Sequence, residues 1–380
     1  MAKRQKPHIR DEDYAITAKG SRRRIAAPEL PYRPPRPRRA PPGIGVIGCG
    51  GIIASHLRAY RKAGYPVIAL TDLDLKKAEA VRKRFAPGAT VCRSAEELLD
   101  RTDVGVVDIA THPGPRVTLM QQAIARGKHV LSQKPFVEDL AVGRRLVAKA
   151  RRKGVCLAVN QNGRWAPHVG YARAAIAAGV LGDVMAVDLS VHWDHNWCAG
   201  TPFDRIRHLA LYDFGIHWFD MIHCYLREQR PQTVFAAVTK SRTQRTRPPL
   251  LAEAVIRFPR AQASLLLRAD TRWGPQDRTV IVGTRGTLVS EGRDLNHQKV
   301  TLYLEDGIAR PKLATRWFDD GFDGTMSELL CAIEERREPS NSAADNLKSL
   351  ALCFAAMASA DQGEPASVRQ IASGAVVRHD

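Results

Sequence analysis

From Gly43 to Asn160 the chain alternates between short apolar runs and amphipathic stretches, and this alternation is its strongest constraint on fold. "GIGVIGCG" is an apolar run that ends in glycines, and "GIIASHLRAYRKAG" reads as a helix closed by Gly64. "PVIALTD" is a second strand, followed by the helix "LDLKKAEAVRKRF" with Asp74 as its cap. The strand "VGVVDIA", the helix "RVTLMQQAIARG", the strand "KHVLS", the helix "EDLAVGRRLVAKARRKG" and the strand "VCLAVN" continue the rhythm. Strands of near-continuous Val and Ile are buried on both faces, so the helices between them must cover a parallel sheet.

The glycines fall where such a sheet takes up a dinucleotide. Gly48 permits the tight turn after the first strand, and Gly50 lets backbone approach a pyrophosphate at the helix N-terminus, with Gly51 adding slack. Asp72 ends the second strand, where a carboxylate accepts ribose hydroxyls and repels a 2′-phosphate. The expected cofactor is therefore NAD rather than NADP. Ile53 takes the third small position of the fingerprint, which predicts looser helix–strand contact or a shifted turn. Lys134 ends the strand "KHVLS" at the carboxyl edge of the sheet, where open α/β folds bind ligands.

After Asn160 the rhythm changes. "TVFAAVTKS", "AEAVIRFP", "ASLLLRAD", "RTVIVGT", "GTLVSEG" and "KVTLYLED" follow one another without helices, which predicts a largely antiparallel sheet. The helices "FDGTMSELLCAIEE" and "NLKSLALCFAAMASA" close the chain. The fold class is thus α/β: a Rossmann-type, doubly wound parallel sheet over 43–163, then an α+β domain over 164–380 with a largely antiparallel open sheet, for substrate binding and oligomerisation.

Within "LYDFGIHWFDMIHCYL", Asp213 and His217 stand four apart on one helix face, so the carboxylate can hold the imidazole while it takes a proton. "HWDHNW" places His192, Trp193 and His195 after a strand, a mixture of hydrogen-bonding and stacking groups that suits a sugar. His192, His195, His208, His217 and His223, even with Asp220, make no recognised ligand set, and no metal is expected.

The chain carries +19, of which residues 1–42 supply +8 together with eight prolines. This basic arm favours extended chain. Lacking interleaved aromatics, it is expected to solubilise or to cross to a neighbouring subunit, not to bind nucleic acid. "SRRR" is followed by "IAAPELPYRPP" instead of an apolar run, and the seven cysteines form no C-x-x-C pair. A soluble, cytoplasmic protein without membrane attachment is expected.

The assembled motifs resemble the Gfo/Idh/MocA oxidoreductases, the family of glucose–fructose oxidoreductase and inositol dehydrogenase. The likeness rests on "GVIGCGGI", "GKHVLSQKP", "NQNGRWAP", "AAGVLGDV" and "DFGIHWFD". It implies an NAD-dependent enzyme that moves hydride from a secondary alcohol of a sugar, polyol or glycoside, acting as a homodimer or homotetramer. Lys134, Asp213 and His217 would be catalytic, with His217 the base and Lys134 on the reacting oxygen. Gly48, Gly50, Gly51, Ile52, Asp72, Thr111, His112, Gln133 and Lys134 would line the cofactor. Asn162, Arg164, Trp165, His192, Trp193, His195, Asp213 and His217 would meet the carbohydrate. The Lys134–Pro135 bond is expected to be cis.

Two departures stand out. Gln133 replaces the family's usual glutamate, which removes a negative charge beside Lys134 and should ease its deprotonation. Arg116 stands where many relatives carry histidine. The alternatives are a relative that retains NAD and hydrolyses glycosides, and a non-catalytic sensor of nucleotides or partner of nucleic acid.

Overall fold

The computed structural model describes residues 23–374. Six parallel strands form the first sheet: β1 (Gly43–Ile47), β2 (Val67–Thr71), β3 (Thr90–Val91), β4 (Val104–Ile109), β5 (His129–Gln133) and β6 (Leu157–Asn160). Their order, β3-β2-β1-β4-β5-β6, reverses direction at β1, and this switch point opens a crevice beyond the strand ends. Helices α1 (Ile53–Ala63), α2 (Leu75–Phe85), α3 (Ala95–Asp100), α4 (Pro113–Ala125) and α5 (Leu140–Lys153) are the crossovers. Side chains of Asp74, Ser94 and Asp139 cap α2, α3 and α5, while left-handed Gly64 and Gly154 end α1 and α5.

The chain then runs through α6 (Pro167–Ala177) into β7 (Val184–His192) and, after α7 (Ile216–Tyr225), through a run of strands. These are β8 (Thr233–Thr239), β9 (Leu251–Arg257), β10 (Gln262–Arg268), β11 (Gln276–Gly283), β12 (Gly286–Gly292), β13 (Gln298–Leu304) and β14 (Gly307–Ala309). α8 (Trp317–Glu334), α9 (Ala343–Gln362), β15 (Ala366–Ser367) and α10 (Val368–Ser373) complete it. The second sheet has the order β14-β13-β12-β11-β7-β10-β9-β8-β15, antiparallel except where β7 lies parallel to β10. One face of it is buried under helices. The other leaves Phe235, Val255 and Tyr303 nearly half exposed.

Chain order and packing diverge at α8. Its Phe322, Met326, Leu329 and Leu330 join the core formed by Ile44, Val46, Ile53 and Leu57, so a helix from late in the chain covers one face of the first sheet. Ile53 itself is fully buried there. The looser contact expected from an isoleucine at the fingerprint's third small position is not found: an apolar side chain facing this core is simply absorbed by it.

Residues 23–42 of the arm are extended, as their prolines require, and lie along the protein's own surface. Ile25 N–H donates to the carbonyl of Ile308, the Tyr171 hydroxyl donates to that of Pro28, and Arg36 pairs with Asp323 at 2.5 Å. The part of the arm that is described therefore braces its own chain. Residues 1–22, where the rest of that expectation falls, lie outside the described residues. All seven cysteines are free thiols. No described helix is long and apolar enough to cross a membrane.

Candidate active site

The crevice begins at the turn after β1. Gly48 has φ +100°, and a Cβ there would sit 3.0 Å from the Ala110 backbone, so only glycine fits. Gly50 and Gly51 face open space, and no side chain caps α1 at Ile52. The Ile53 and Ser55 N–H groups close the first turn onto the Gly50 and Ile52 carbonyls, and with no side chain over it the start of α1 stays open to an anion. Asp72 accepts the Cys49 N–H at 2.7 Å and the Asp74 N–H at 2.9 Å, which fixes its carboxylate beside the turn while leaving it part-exposed. An uncapped helix start, room without side chains and a held carboxylate suit the phosphates and ribose of a dinucleotide. Thr111 and His112 follow β4 on the other side of the switch point, with His112 exposed ahead of α4.

Lys134 follows β5, and the Lys134–Pro135 bond is cis. Its Nζ donates to the Asp213 carbonyl at 2.8 Å and lies 3.3 Å from Asp213 Oδ2. Its backbone N–H donates to Gln133 Oε1 at 2.7 Å. A backbone N–H can only donate, so this bond settles which end of the Gln133 amide is oxygen. The amide nitrogen therefore faces His56 Nε2, 3.1 Å away, and that nitrogen must be an acceptor. The imidazole proton consequently sits on Nδ1, 2.7 Å from Asp108 Oδ2, which also takes the Tyr60 hydroxyl at 2.7 Å. His56, Tyr60 and Asp108 are fully buried, and burial foremost raises the Tyr60 phenol well above its usual range. Gln133 is thus committed to His56 and the Lys134 backbone, not to the ammonium. A glutamate in its place would offer His56 no proton.

Asp213 lies in a π-helical turn, Ala210–Phe214, that runs into α7. Gly215 N–H donates back five residues to the Ala210 carbonyl at 2.8 Å, and a Cβ on Gly215 would lie 2.5 Å from the Leu211 carbonyl oxygen. Single π turns inside helices recur at functional sites because they re-aim the residues they carry. Here the expected pairing of Asp213 with His217 gives way: the Asp213 carboxylate is taken by Lys134, and His217 Nδ1 is buried without a partner. Burial, and next the charge of Lys134, lower the proton affinity of His217 well below its ordinary value. The imidazole is therefore neutral at physiological pH.

Aromatic rings line this side. His195 stacks on Phe214 at 4.0 Å, Trp193 meets Trp218 edge-on at 5.3 Å, and Trp317 approaches His217 at 5.9 Å. Burial first, opposed by Asp194 and Asp213, leaves His195 pushed down to about 4. Trp193 Nε1 is buried and unpartnered. Trp197 is 54% exposed and donates to His195 Nδ1 at 3.1 Å. Phe203 bridges Trp197 and His112, joining the two sides of the crevice.

Four expected substrate contacts are placed elsewhere. His192 points to the open face of the second sheet and meets the Ser190 hydroxyl, because strand alternation turns it away from Val191. Arg164 is buried, held by Asp220 through two bonds of 2.7 and 2.6 Å and by Asp345 at 3.0 Å. Trp165 is buried beneath Arg173. Asn162 accepts the Trp317 indole N–H at 2.7 Å and so acts on the aromatic wall from behind. Sequence reasoning missed His56, Asp108, Trp317 and Phe203, whose partners lie far along the chain and leave no local signal. Among the described residues, no cluster of His, Cys, Asp or Glu could hold a metal.

Comparison with known proteins agrees with this layout. A family model described as "Oxidoreductase family, NAD-binding Rossmann fold" matches residues 43–161, and the "GFO/IDH/MocA C-terminal domain" matches residues 169–289. D-apiose dehydrogenase of Paraburkholderia graminis is 26% identical over 351 residues, covering 86% of this chain and 89% of that protein. Inositol 2-dehydrogenase of Gluconacetobacter diazotrophicus is 30% identical over 217 residues, covering 55% of this chain and 62% of that protein. An Agrobacterium radiobacter oxidoreductase, solved with NAD+, L-tartaric acid and magnesium, superposes with TM-score 0.78 at 22% identity, covering 87% of this chain and 99% of its own. That last likeness is one of fold.

Proposed function

The chain belongs to the Gfo/Idh/MocA oxidoreductase family, and from that premise we propose that it is an NAD-dependent dehydrogenase acting on a secondary alcohol of a sugar or polyol. The observation that carries this reading is the contact of Lys134 with Asp213 at the carboxyl edge of the parallel sheet, with the lysine's charge bearing on His217. The names of the sugar and polyol dehydrogenases it resembles support the substrate class.

Gly48, Gly50 and Gly51, Asp72 and Thr111 would hold NAD, which supplies the hydride acceptor. The residues manage the proton and the charge. Neutral His217 takes the hydroxyl proton; its low proton affinity means it does so only as departure of the hydride acidifies that hydroxyl. Lys134 donates a hydrogen bond to that oxygen where the charge develops. Asp213 holds the ammonium in place. Trp193, His195 and Trp197 offer stacking faces to sugar C–H groups. Asp72 favours NAD over NADP.

The exposed Phe235, Val255 and Tyr303 support a homo-oligomer built on the open sheet face, and the free thiols support a cytoplasmic setting. The test is absorbance of NADH formed with a panel of polyols and aldoses, beside Lys134→Met and His217→Asn. Turnover in the wild type with kcat lower by roughly 10²–10³ in Lys134→Met is expected. A wild-type protein that does not bind NAD or NADH would sink the reading.

A further inference from the structure

Arg116 is 1% exposed, yet no described carboxylate pairs with it. It leaves the first turn of α4, and its guanidinium reaches under the loop that carries Lys134. Nη1 donates to the Gln133 carbonyl at 2.8 Å and to the Pro135 carbonyl, the two residues that flank the lysine. Nη2 donates to the Thr111 carbonyl in the loop after β4. Burial pushes this side chain down to about 10, so it remains charged at neutral pH.

A guanidinium presents its donors in a fixed planar fork, so bonding three carbonyls with it fixes those carbonyls relative to one another. The peptide unit before Lys134 and the one after Pro135 are therefore pinned, and pinned to the Thr111 loop. The Lys134 N–H is held by the side chain of the same Gln133, and Nζ is held by Asp213. The lysine is immobilised at both ends.

We propose that Arg116 is a positioning residue for Lys134: it sets the register between the lysine after β5 and the Thr111 loop after the neighbouring strand β4. The role rests on the reading of Lys134 as the group that meets the reacting oxygen. A merely structural role would loosen β5 as a whole, and the strand carries its own control. Lys128, buried at the opposite end of β5, donates to the Arg101 and Val104 carbonyls.

The experiment is reductive methylation with formaldehyde and cyanoborohydride, followed lysine by lysine by mass spectrometry, on the full chain and on Arg116→Met and Arg116→Lys. Lys83, whose side chain is 70% exposed, is the internal standard. In Arg116→Met, Lys134 is expected to react about tenfold faster than in the wild type, with Lys128 unchanged. In Arg116→Lys, which keeps the charge and part of the bonding, the acceleration should be several-fold smaller. Unchanged labelling of Lys134 in either folded variant, or a rise shared equally with Lys128, would overturn the proposal. Arg116→Lys decides the matter if Arg116→Met does not fold. The labelling requires neither cofactor nor substrate. A parallel arm with added NAD+ should slow Lys134 in the wild type; if it does not, the dehydrogenase reading is weakened while the Arg116 result stands.

Discussion

Two buried arginines have opposite surroundings. Arg164, beneath the second sheet, lies among Asp220, Asp345, His223 and Ser349, where carboxylates outweigh the cost of burial and hold it well above its ordinary value. Arg116, beneath Lys134, touches only backbone carbonyls, and burial lowers it. The first is a closed ion cluster that staples α7 and α9 to the chain after β6. The second fixes loops at the crevice without neutralising its own charge. Burial of a cation does not by itself say what the cation is for; its partners do.

The contrast can be broken in graded ways. Arg164→Met leaves Asp220 buried and uncompensated, so denaturant titration should show a loss of roughly 3–5 kcal/mol, with NADH affinity little changed where the protein folds. A loss below about 1 kcal/mol would show that water or rearrangement neutralises the cluster. Gln133→Glu confronts the His56 lone pair with a second acceptor, so we expect about 1–3 kcal/mol of destabilisation and a doubly protonated His56 in ¹⁵N NMR. A neutral His56 in that variant would refute the tautomer assigned above.

The smallest effect is acid sensitivity. Burial pushes Asp345 up, but the His223 hydrogen bond and the charge of Arg164 outweigh it and depress it below its ordinary 3.8. A depressed carboxyl stabilises the fold above its unfolded value and loses that contribution as pH falls through the folded one. Stability should therefore decline below about pH 4, and Asp345→Asn should flatten that decline, as read from urea midpoints against pH.

Much of the molecule was legible in the chain. Val- and Ile-rich runs between amphipathic helices forecast the parallel sheet because burial on both faces leaves no polar alternation. The glycines, Asp72 and Lys134 fall at strand ends, where the sheet's own geometry dictates their surroundings. Residues that act across the fold were harder. Arg164 and Trp165 follow β6 closely, yet Asp220 of α7, 56 residues on, and Gly324 of α8 claim them. The Asp213 and His217 spacing suggested a pair, but Lys134, 79 residues earlier, takes both the carbonyl and the carboxylate of Asp213.

By itself, then, the sequence determined the two-sheet architecture, the dinucleotide turn and the identity of the lysine at the end of β5, since periodicity, glycine and strand position are local properties. Only the tertiary structure decided which carboxylate answers which cation and where the His56 proton sits. It also decided that Arg116 would grip the lysine's neighbours. Those choices depend on distances between groups far apart along the chain, and on burial, which makes every unmatched donor or charge costly enough to select one arrangement.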